Sequence, residues 1–222
     1  MTETDRFNGS VVRPLVGVVL AGGLSRRMGG GDKGLLPLGS ISMIGHVVER
    51  IAPQVDRLVL NANGDPVRFA SLGLPVAPDR VGDNPGPLAG VLAGLLWASE
   101  HAPSATHVVT VSSDAPFIPR DLVDRLAAAS QAATTERITM ARSDNGLHPV
   151  IGLWPIALRE DLRDALVSGT RKVLHWTDRH GVAECHFHDV LIGNERVDPF
   201  FNANTPDDLE RARALLADSG SA

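Results

Sequence analysis

LAGGLSRRMGGGDKG, residues 20–34, sets Gly22, Gly23, Gly29, Gly30, Gly31 and Gly34 among Arg26, Arg27 and Lys33, directly behind the apolar run LVGVVL at 15–20. That run is short, rich in β-branched residues and apolar at every position, the pattern of a strand buried on both faces of a parallel sheet. The glycines behind it let backbone N–H groups approach a phosphate closely, and the cations supply countercharge. Asp32 is the only acid in residues 21–34, so three cations less one acid leave a local balance of +2. A solvated surface loop is the alternative reading. The stretch is not a Walker P-loop, because Lys33 is followed by Gly34 and not by Ser or Thr. Gly29, Gly31 and Gly34 do satisfy G-x-G-x-x-G, but past the strand end instead of opening a helix right behind it, which makes a weak dinucleotide fingerprint.

The rest of the first half continues this rhythm. Ile44, Val47, Val48 and Ile51 predict a helix over 44–51, RLVL a strand over 57–60 stopped by the turn formers 61–66, and NPGPLAG opens a helix over 88–100. A strand over 107–111 ends on Ser112, Ser113 and Asp114, and a helix is expected over 119–129. Strand, loop and helix in alternation predict a three-layer α/β fold with a mainly parallel sheet. The second half is less regular, with strands expected near 138–141, 149–153 and 184–188 and helices over 156–167 and 171–180. A last helix runs from Pro206 to about 217: Thr205 caps it, Pro206 suits its first position and Asp208 closes a capping box. Residues 1–13 read as a flexible arm, 14–217 as a single domain and 218–222 as a tail.

At 222 residues, with 43% hydrophobic and 21% charged, the chain is long enough for one substantial core. It has no apolar run of about 18 residues, so no transmembrane helix and no membrane partner are expected. Residues 13–23 have the outline of a signal peptide, but Glu3 and Asp5 precede them and cleavage there would destroy the glycine loop. One cysteine, Cys185, cannot form an internal disulfide and suits the reducing cytoplasm. A net charge of −5 and the lack of tyrosine argue against nucleic acid as a partner.

In open α/β sheets ligands gather at the carboxyl ends of the strands. Three stretches fall at such ends: the glycine loop, NANGDP after Leu60 and SSDAPFIP after Val111, and a shared site is the economical reading. Asp114 fits a Mg²⁺ ligand, since a hard cation takes a carboxylate oxygen together with the phosphates of a nucleotide; a turn or a helix cap is the alternative. Asp79 is a second candidate for the rim. Only Lys33 and Lys172 among the 21 basic residues are lysine, which singles out the compact charge at position 33. Arg171 and Lys172 are candidates for an acceptor phosphate or simply a solvated helix end. CHFHDV gathers Cys185, His186, His188 and Asp189, but alternation sends the two histidines to one face, and with no C-x-x-C or H-E-x-x-H companion a half-buried strand is the better reading than a zinc site. No G-x-S-x-G elbow supports a serine hydrolase.

VVLAGGLSRRMGGGDKGLLPL, NAN, PGPLAG, SSDAPFIP, HPV and NANTPDDL, in that order and spacing, resemble the molybdenum cofactor guanylyltransferase family from about residue 16 to residue 209. The resemblance implies a Rossmann-like fold of the nucleotide-diphospho-sugar transferase type, with a nucleotide-binding half over about 14–130 and an acceptor half over about 131–217. It implies transfer of GMP from GTP to molybdenum-molybdopterin with release of pyrophosphate, and Mg²⁺ as cofactor. On this resemblance Leu20, Ala21, Gly22 and Gly23 line the guanine nucleotide, Lys33 meets its phosphates and Asn61 and Asp79 belong to the same site. Asp114 matches the Mg²⁺ ligand, and Asn202 with Asn204 stand on the acceptor side; in the mechanism expected from this, Arg27 joins Lys33 in clamping the phosphates. A molybdenum insertase and molybdoenzyme chaperones are the protein partners implied. Ser112, Ser113 and Ala115 depart from the PCDTP usual in the family, the stretch GSISMIGH lacks its proline, and Gly64 stands where a basic residue is common. A cytidylyl or sugar-phosphate nucleotidyltransferase, and a GTP-binding cofactor chaperone without turnover, remain the alternatives.

Overall fold

The computed structural model describes residues 14–22, 32–81, 86–132 and 138–219. Gly23, Arg26, Arg27, Gly29, Gly30 and Gly31 of the glycine loop, and the arm 1–13, lie outside the described residues. In chain order the elements of the first half are β1 (Val16–Leu20), β2 (Pro37–Leu38), β3 (Ile41–Ser42), α1 (Met43–Ile51), β4 (Arg57–Asn61), β5 (Val76–Ala77), α2 (Pro87–His101), β6 (His107–Ser112) and α3 (Leu122–Ala132). They are followed by β7 (Ile138–Ser143), β8 (Gly146–Pro155), α4 (Arg159–Val167), α5 (Val173–Thr177), β9 (Val182–Phe187), β10 (Val190–Ile192), β11 (Glu195–Val197) and α6 (Pro206–Ser219).

One seven-stranded sheet runs in the order β5-β4-β1-β6-β8-β7-β9. β1 lies parallel to β4 and β6, β4 parallel to β5 and β7 parallel to β9, while β8 is antiparallel to both of its neighbours. The short turn at residues 144–145 accounts for that reversal, since only antiparallel strands can be joined so tightly. The sheet is mainly parallel, as the alternation of strand and helix predicts. Its β1, β4, β6, β7 and β9 all end on one edge, where Leu20, Asn61, Ser112, Ser143 and Phe187 stand.

Alternation along the buried strands separates two apolar layers. Val16 and Val18 of β1 with Val108 of β6 pack under α2, α4 and α5, whereas Val19, Val109 and Val111 meet α1 and α3 on the opposite face. A third cluster joins α6 through Leu209, Ala212 and Leu215 to Leu38, Met43 and Phe117. Helix α2 is buried from Leu88 to Ala98, as expected of a helix between sheet and α4. Gly90 and Gly94 let it close on the sheet: a Cβ at Gly94 would come 2.5 Å from Val18 Cγ2, and one at Gly90 would run into the Asn61 side chain. Behind this layer Trp154 Nε1 donates to Thr110 Oγ1 (2.7 Å), which donates in turn to the Val150 carbonyl (2.7 Å), so a buried polar pair is satisfied.

Several boundaries move for local reasons. The helix expected from residue 119 starts at Leu122, with the Val123 amide donating to Gln54 Oε1 at 2.9 Å; a side chain from the neighbouring turn takes the place of a local cap. The helix expected over 171–180 is confined to Val173–Thr177, because Lys172 is extended (ψ 122°) and His180 is drawn to Asp161 at 2.9 Å. α6 continues to Ser219, two residues beyond the expected end at 217. The hairpins β2–β3 and β10–β11 are too short to give a periodic signal.

Gly94→Ala tests the seating of α2. Alanine raises helix propensity by about 1 kcal/mol, but overpacking a filled contact costs about 1–3 kcal/mol. A net loss is therefore expected, read as a lower urea midpoint at unchanged m-value. A midpoint at or above that of the parent would show that α2 does not lie this close to β1.

Candidate active site

The carboxyl ends of β1, β4 and β6 come together because the three strands are adjacent and parallel. The Ala21 amide donates to the Asn61 carbonyl (2.9 Å) and the Ser113 amide to the Leu20 carbonyl (3.1 Å), which ties the loop bases to one another. Beside them lies a cavity of about 560 Å³ whose walls include Leu20, Ala21, Gly22, Asn61, Asp79 and Ser112. Its volume suits a nucleotide-sized ligand.

One wall is an amide–carboxylate cluster. Buried Asn61 donates through Nδ2 to the Ala77 carbonyl (3.1 Å) and to Asp79 Oδ1 (2.9 Å). Asn63 donates to Asp79 Oδ2 (2.7 Å), and the Asp79 amide donates back to Asn63 Oδ1 (2.9 Å). Both asparagines of NAN thus fix one carboxylate at the cavity. Asn63 and Arg68 were not singled out by the sequence. Arg68 makes an ion pair with Asp32, donates to the carbonyls of Asn63 and Asp65, and lies 4.6 Å over the Phe69 ring. It ties the exit of the glycine loop to the turn Pro66–Leu72.

Beside the cavity a second cluster is built around Lys33, whose ammonium donates to Asp114 Oδ2 at 2.7 Å and to Asn204 Oδ1 at 2.6 Å. Both members of the ion pair are shielded, with side chains 13% and 19% exposed. The Ser112 hydroxyl donates to Asp114 Oδ1. Gly34 passes close to Ser113: a Cβ there would lie 3.2 Å from the Ser113 Cβ, a tight contact that the Ser or Thr of a Walker loop would have to relieve by moving Ser113. The Ala203 amide donates to the Asp114 carbonyl (3.1 Å), drawing the segment before α6 to the same point. The capping box forms as read: the Asp208 amide donates to Thr205 Oγ1 (3.1 Å) and the Thr205 amide to Asp208 Oδ2 (2.8 Å).

Residues from the first and last quarters of the chain therefore meet in one place. Leu20, Ala21, Gly22, Asn61 and Asp79 border the cavity, and Lys33, Asp114 and Asn204 form one hydrogen-bonded cluster. Asn202 stands apart from that cluster, its Oδ1 buried and without a hydrogen-bond partner. Arg171 donates to the Leu166 and Thr170 carbonyls at 2.7 and 2.9 Å, and exposed Lys172 precedes α5. Gly23 and Arg27 lie outside the described residues.

A second polar network holds the segment that carries Asn202 and Asn204. Asp198 Oδ2 accepts from Ser143 Oγ (2.7 Å) and Asn145 Nδ2 (2.7 Å), and Oδ1 accepts from the Phe200 amide (2.8 Å). Because the Ser143 hydroxyl donates to Asp198, His148 Nε2, 2.8 Å from Ser143 Oγ, must be the donor there. Burial pushes the Asp198 carboxyl up, but the bonds from Ser143, Asn145 and Phe200 and the nearby His148 hold it below its ordinary value. Burial dominates at His148 and lowers its value despite Asp198, so the imidazole is neutral at pH 7.

These features fit a nucleotidyltransferase: a cavity at the carboxyl edge of a parallel sheet, with an aspartate–lysine pair bonded to its Ser112 wall. The MobA-like NTP transferase domain family matches residues 17–183. The chain belongs to the molybdenum cofactor guanylyltransferase family. It is 52% identical to the molybdenum cofactor guanylyltransferase of Bradyrhizobium sp. (strain ORS 278), over 94% of this chain and 96% of that one. It is 49% identical to the protein of that name from Mesorhizobium japonicum, over 92% of this chain and 97% of the relative. The fold is shared with the molybdopterin-guanine dinucleotide biosynthesis protein A of Archaeoglobus fulgidus, at a TM-score of 0.66 and 24% identity over 91% of this chain and 98% of that one. Among the described residues no helix is long and apolar enough to cross a membrane.

The depressed value of His148 has a consequence for stability. The folded state resists protonation at this ring, so the unfolded chain binds the proton first as pH falls through the ordinary histidine value of 6.5. Folding stability should decline over that window, and His148→Gln, which keeps a donor toward Ser143, should flatten the decline. Urea midpoints measured from about pH 7.5 to about pH 5.5 check this; an identical slope in the variant would remove His148 from the effect.

Proposed function

We propose that this chain transfers GMP from GTP to molybdenum-molybdopterin, releasing pyrophosphate and forming the guanine dinucleotide cofactor. The observation that carries the reading is Lys33, whose single ammonium is shared between Asp114 at the end of β6 and Asn204 at the start of the last helix. A cation held there lies between a nucleotide cavity and a second polar segment, which is where two phosphates have to meet. The relatives' name supplies the identity of the two substrates.

In this mechanism an oxygen of the molybdopterin phosphate attacks the α-phosphorus of GTP; its new P–O bond forms as the bond to the β-phosphate breaks, and pyrophosphate leaves with that electron pair. The nucleophile is already an anion, so no side chain has to remove a proton. Alignment and charge neutralisation are what remain for the protein. Lys33 exchanges Asp114 for phosphate oxygens when the triphosphate enters, and Arg27 joins it. The carboxylate of Asp114 beside the Ser112 hydroxyl is a hard-oxygen set that fits Mg²⁺. Asp114 would hold that ion, which when bound supplies charge neutralisation on the phosphates. Asp79, braced by Asn61 and Asn63, presents an acceptor to the N–H donors of guanine. Asn202, with an unpartnered Oδ1, offers an acceptor to the second substrate. On this proposal the reaction runs in the cytoplasm, a reading supported by the buried free thiol of Cys185, and delivery goes to a molybdenum insertase and molybdoenzyme chaperones.

The purified protein incubated with Mg·GTP and molybdenum-loaded molybdopterin should yield the dinucleotide by mass and release one pyrophosphate per product, with CTP a poor substitute. Loss of one preorganised electrostatic contact costs about 10²-fold or more in turnover, so Lys33→Ala and Asp114→Asn should each slow the reaction by about that factor. GTP binding without pyrophosphate release would favour a cofactor chaperone, and equal use of CTP a cytidylyltransferase. Near-parental rates in either variant would overturn the mechanism.

A further inference from the structure

We infer that Asp144, His186 and His188 form a binding site for a first-row divalent transition ion such as Zn²⁺, separate from the nucleotide site. The strand β9 closes one end of the sheet, and its alternation turns Cys185 and Phe187 into the core while His186 and His188 are exposed. In the parallel register Ser143 lies opposite Phe187, which brings Asp144, the first residue of the β7–β8 turn, level with His188. The sequence around Cys185 lacks a usable third ligand: the Cys185 side chain is buried on the core face of the strand and Asp189 Oδ1 is buried. The fold supplies one from Asp144 instead.

The geometry matches an ion's coordination sphere. Asp144 Oδ1 stands 3.2 Å from His186 Nε2 and 3.5 Å from His188 Nδ1, and all three ligand atoms lie within 4.8 Å of one another. Donors about 2.0–2.2 Å from a shared ion stand roughly 3.0–3.6 Å apart in tetrahedral or octahedral arrangements. Both carboxylate–imidazole spacings already fall in that range. Only the two imidazoles must draw together, and their rings meet edge to face at 75° on exposed side chains that are free to turn. Two imidazoles with one carboxylate suit Zn²⁺, Ni²⁺ or Cu²⁺ better than Mg²⁺ or Ca²⁺.

Neighbouring cations are engaged elsewhere. Arg142 pairs with both carboxylate oxygens of Glu184, and Arg125 donates to the His186 carbonyl while its guanidinium lies 3.9 Å over the Phe187 ring. Asp144 is thus left to the histidines. His186 and His188 stand on and just past β9, three strand positions from β6 and so about 14 Å away at roughly 4.8 Å per strand, with Asp144 on the nearer β7–β8 turn. An ion here therefore does not share ligands with the nucleotide.

The metal-free full-length protein, titrated with Zn²⁺ against a chromophoric chelator at neutral pH, should take up one ion at this site. Changing even an outer partner of a metal ligand costs about 10–100-fold in affinity, so His186→Ala, His188→Ala and Asp144→Asn should each weaken binding by about 10-fold or more. Asp114→Asn should leave it unchanged, and excess Mg²⁺ should not displace the Zn²⁺. All three substitutions are at exposed positions, and circular dichroism checks that the variants fold. Parental affinity in both histidine variants would overturn the proposal and leave the triad as hydrogen-bonded side chains. So would loss of Zn²⁺ binding in Asp114→Asn alone, which would assign the ion to the nucleotide site.

Discussion

The ammonium of Lys33 is the point through which the two parts of the site are joined. It is anchored on the Asp114 side by an ion pair that solvent barely reaches and on the other by the amide of Asn204. Exposed ion pairs contribute little because water and side-chain entropy compete with them; here the backbone has already reduced both costs. Gly34 seats the chain against Ser113, Arg68 holds Asp32 on the preceding side, and the Ala203 amide secures the partner segment to the Asp114 carbonyl. Lysine suits the position because a compact charge with rotatable donors reaches a carboxylate and an amide oxygen at once without the planar fork of arginine.

The sheet explains why these residues meet although they are far apart in sequence. Parallel pairing of β4, β1 and β6 brings three carboxyl ends to one edge, and the close approach of α2 through Gly90 and Gly94 covers the strands behind them. The reversal at β8 has a different effect. It places a short turn at that same edge, and this turn contributes Asn145 to Asp198 and thereby steadies the segment leading to Asn202 and Asn204. Asp144, on the same turn, is 3.2 Å from His186, so adjacent residues serve two separate networks.

What could be read before folding was what depends on near neighbours in the chain. Five apolar residues in β1, the helical stripe of α1 and the reciprocal bonds of Thr205 and Asp208 all follow from spacings of a few residues. The alternation that turns His186 outward and Cys185 inward is equally local. Arg68 carried no such signal, because its value lies in contacts with Asp32 and Asn63 that arise only when the loop folds back. Asp144 was hidden for the same reason: it reaches His186 through the pairing of β7 with β9. The expected helix over 171–180 was too long because Asp161, on α4, takes hydrogen bonds from Trp176 and His180 and wraps the chain into turns. Local propensity has no access to that partner.

Charge at the cavity limits how a triphosphate can enter. Among the described residues Asp32, Asp79 and Arg68 line the cavity, while the Lys33–Asp114 pair lies beside its Ser112 wall with Asp208 in electrostatic reach of Lys33. Arg68 is paired with Asp32, which leaves Lys33 as the described cation set against Asp114 and Asp208. Such a surface repels a bare polyphosphate, since like charges within a few ångströms disfavour one another. The carboxylate of Asp114, just past the end of β6, loses its countercharge if Lys33 turns away from it. On the proposed mechanism, a divalent ion held by Asp114 would supply that countercharge. The Lys33–Asp114 pair thus carries the charge balance at this end of the sheet, and an anion that draws the lysine away leaves Asp114 in need of another cation.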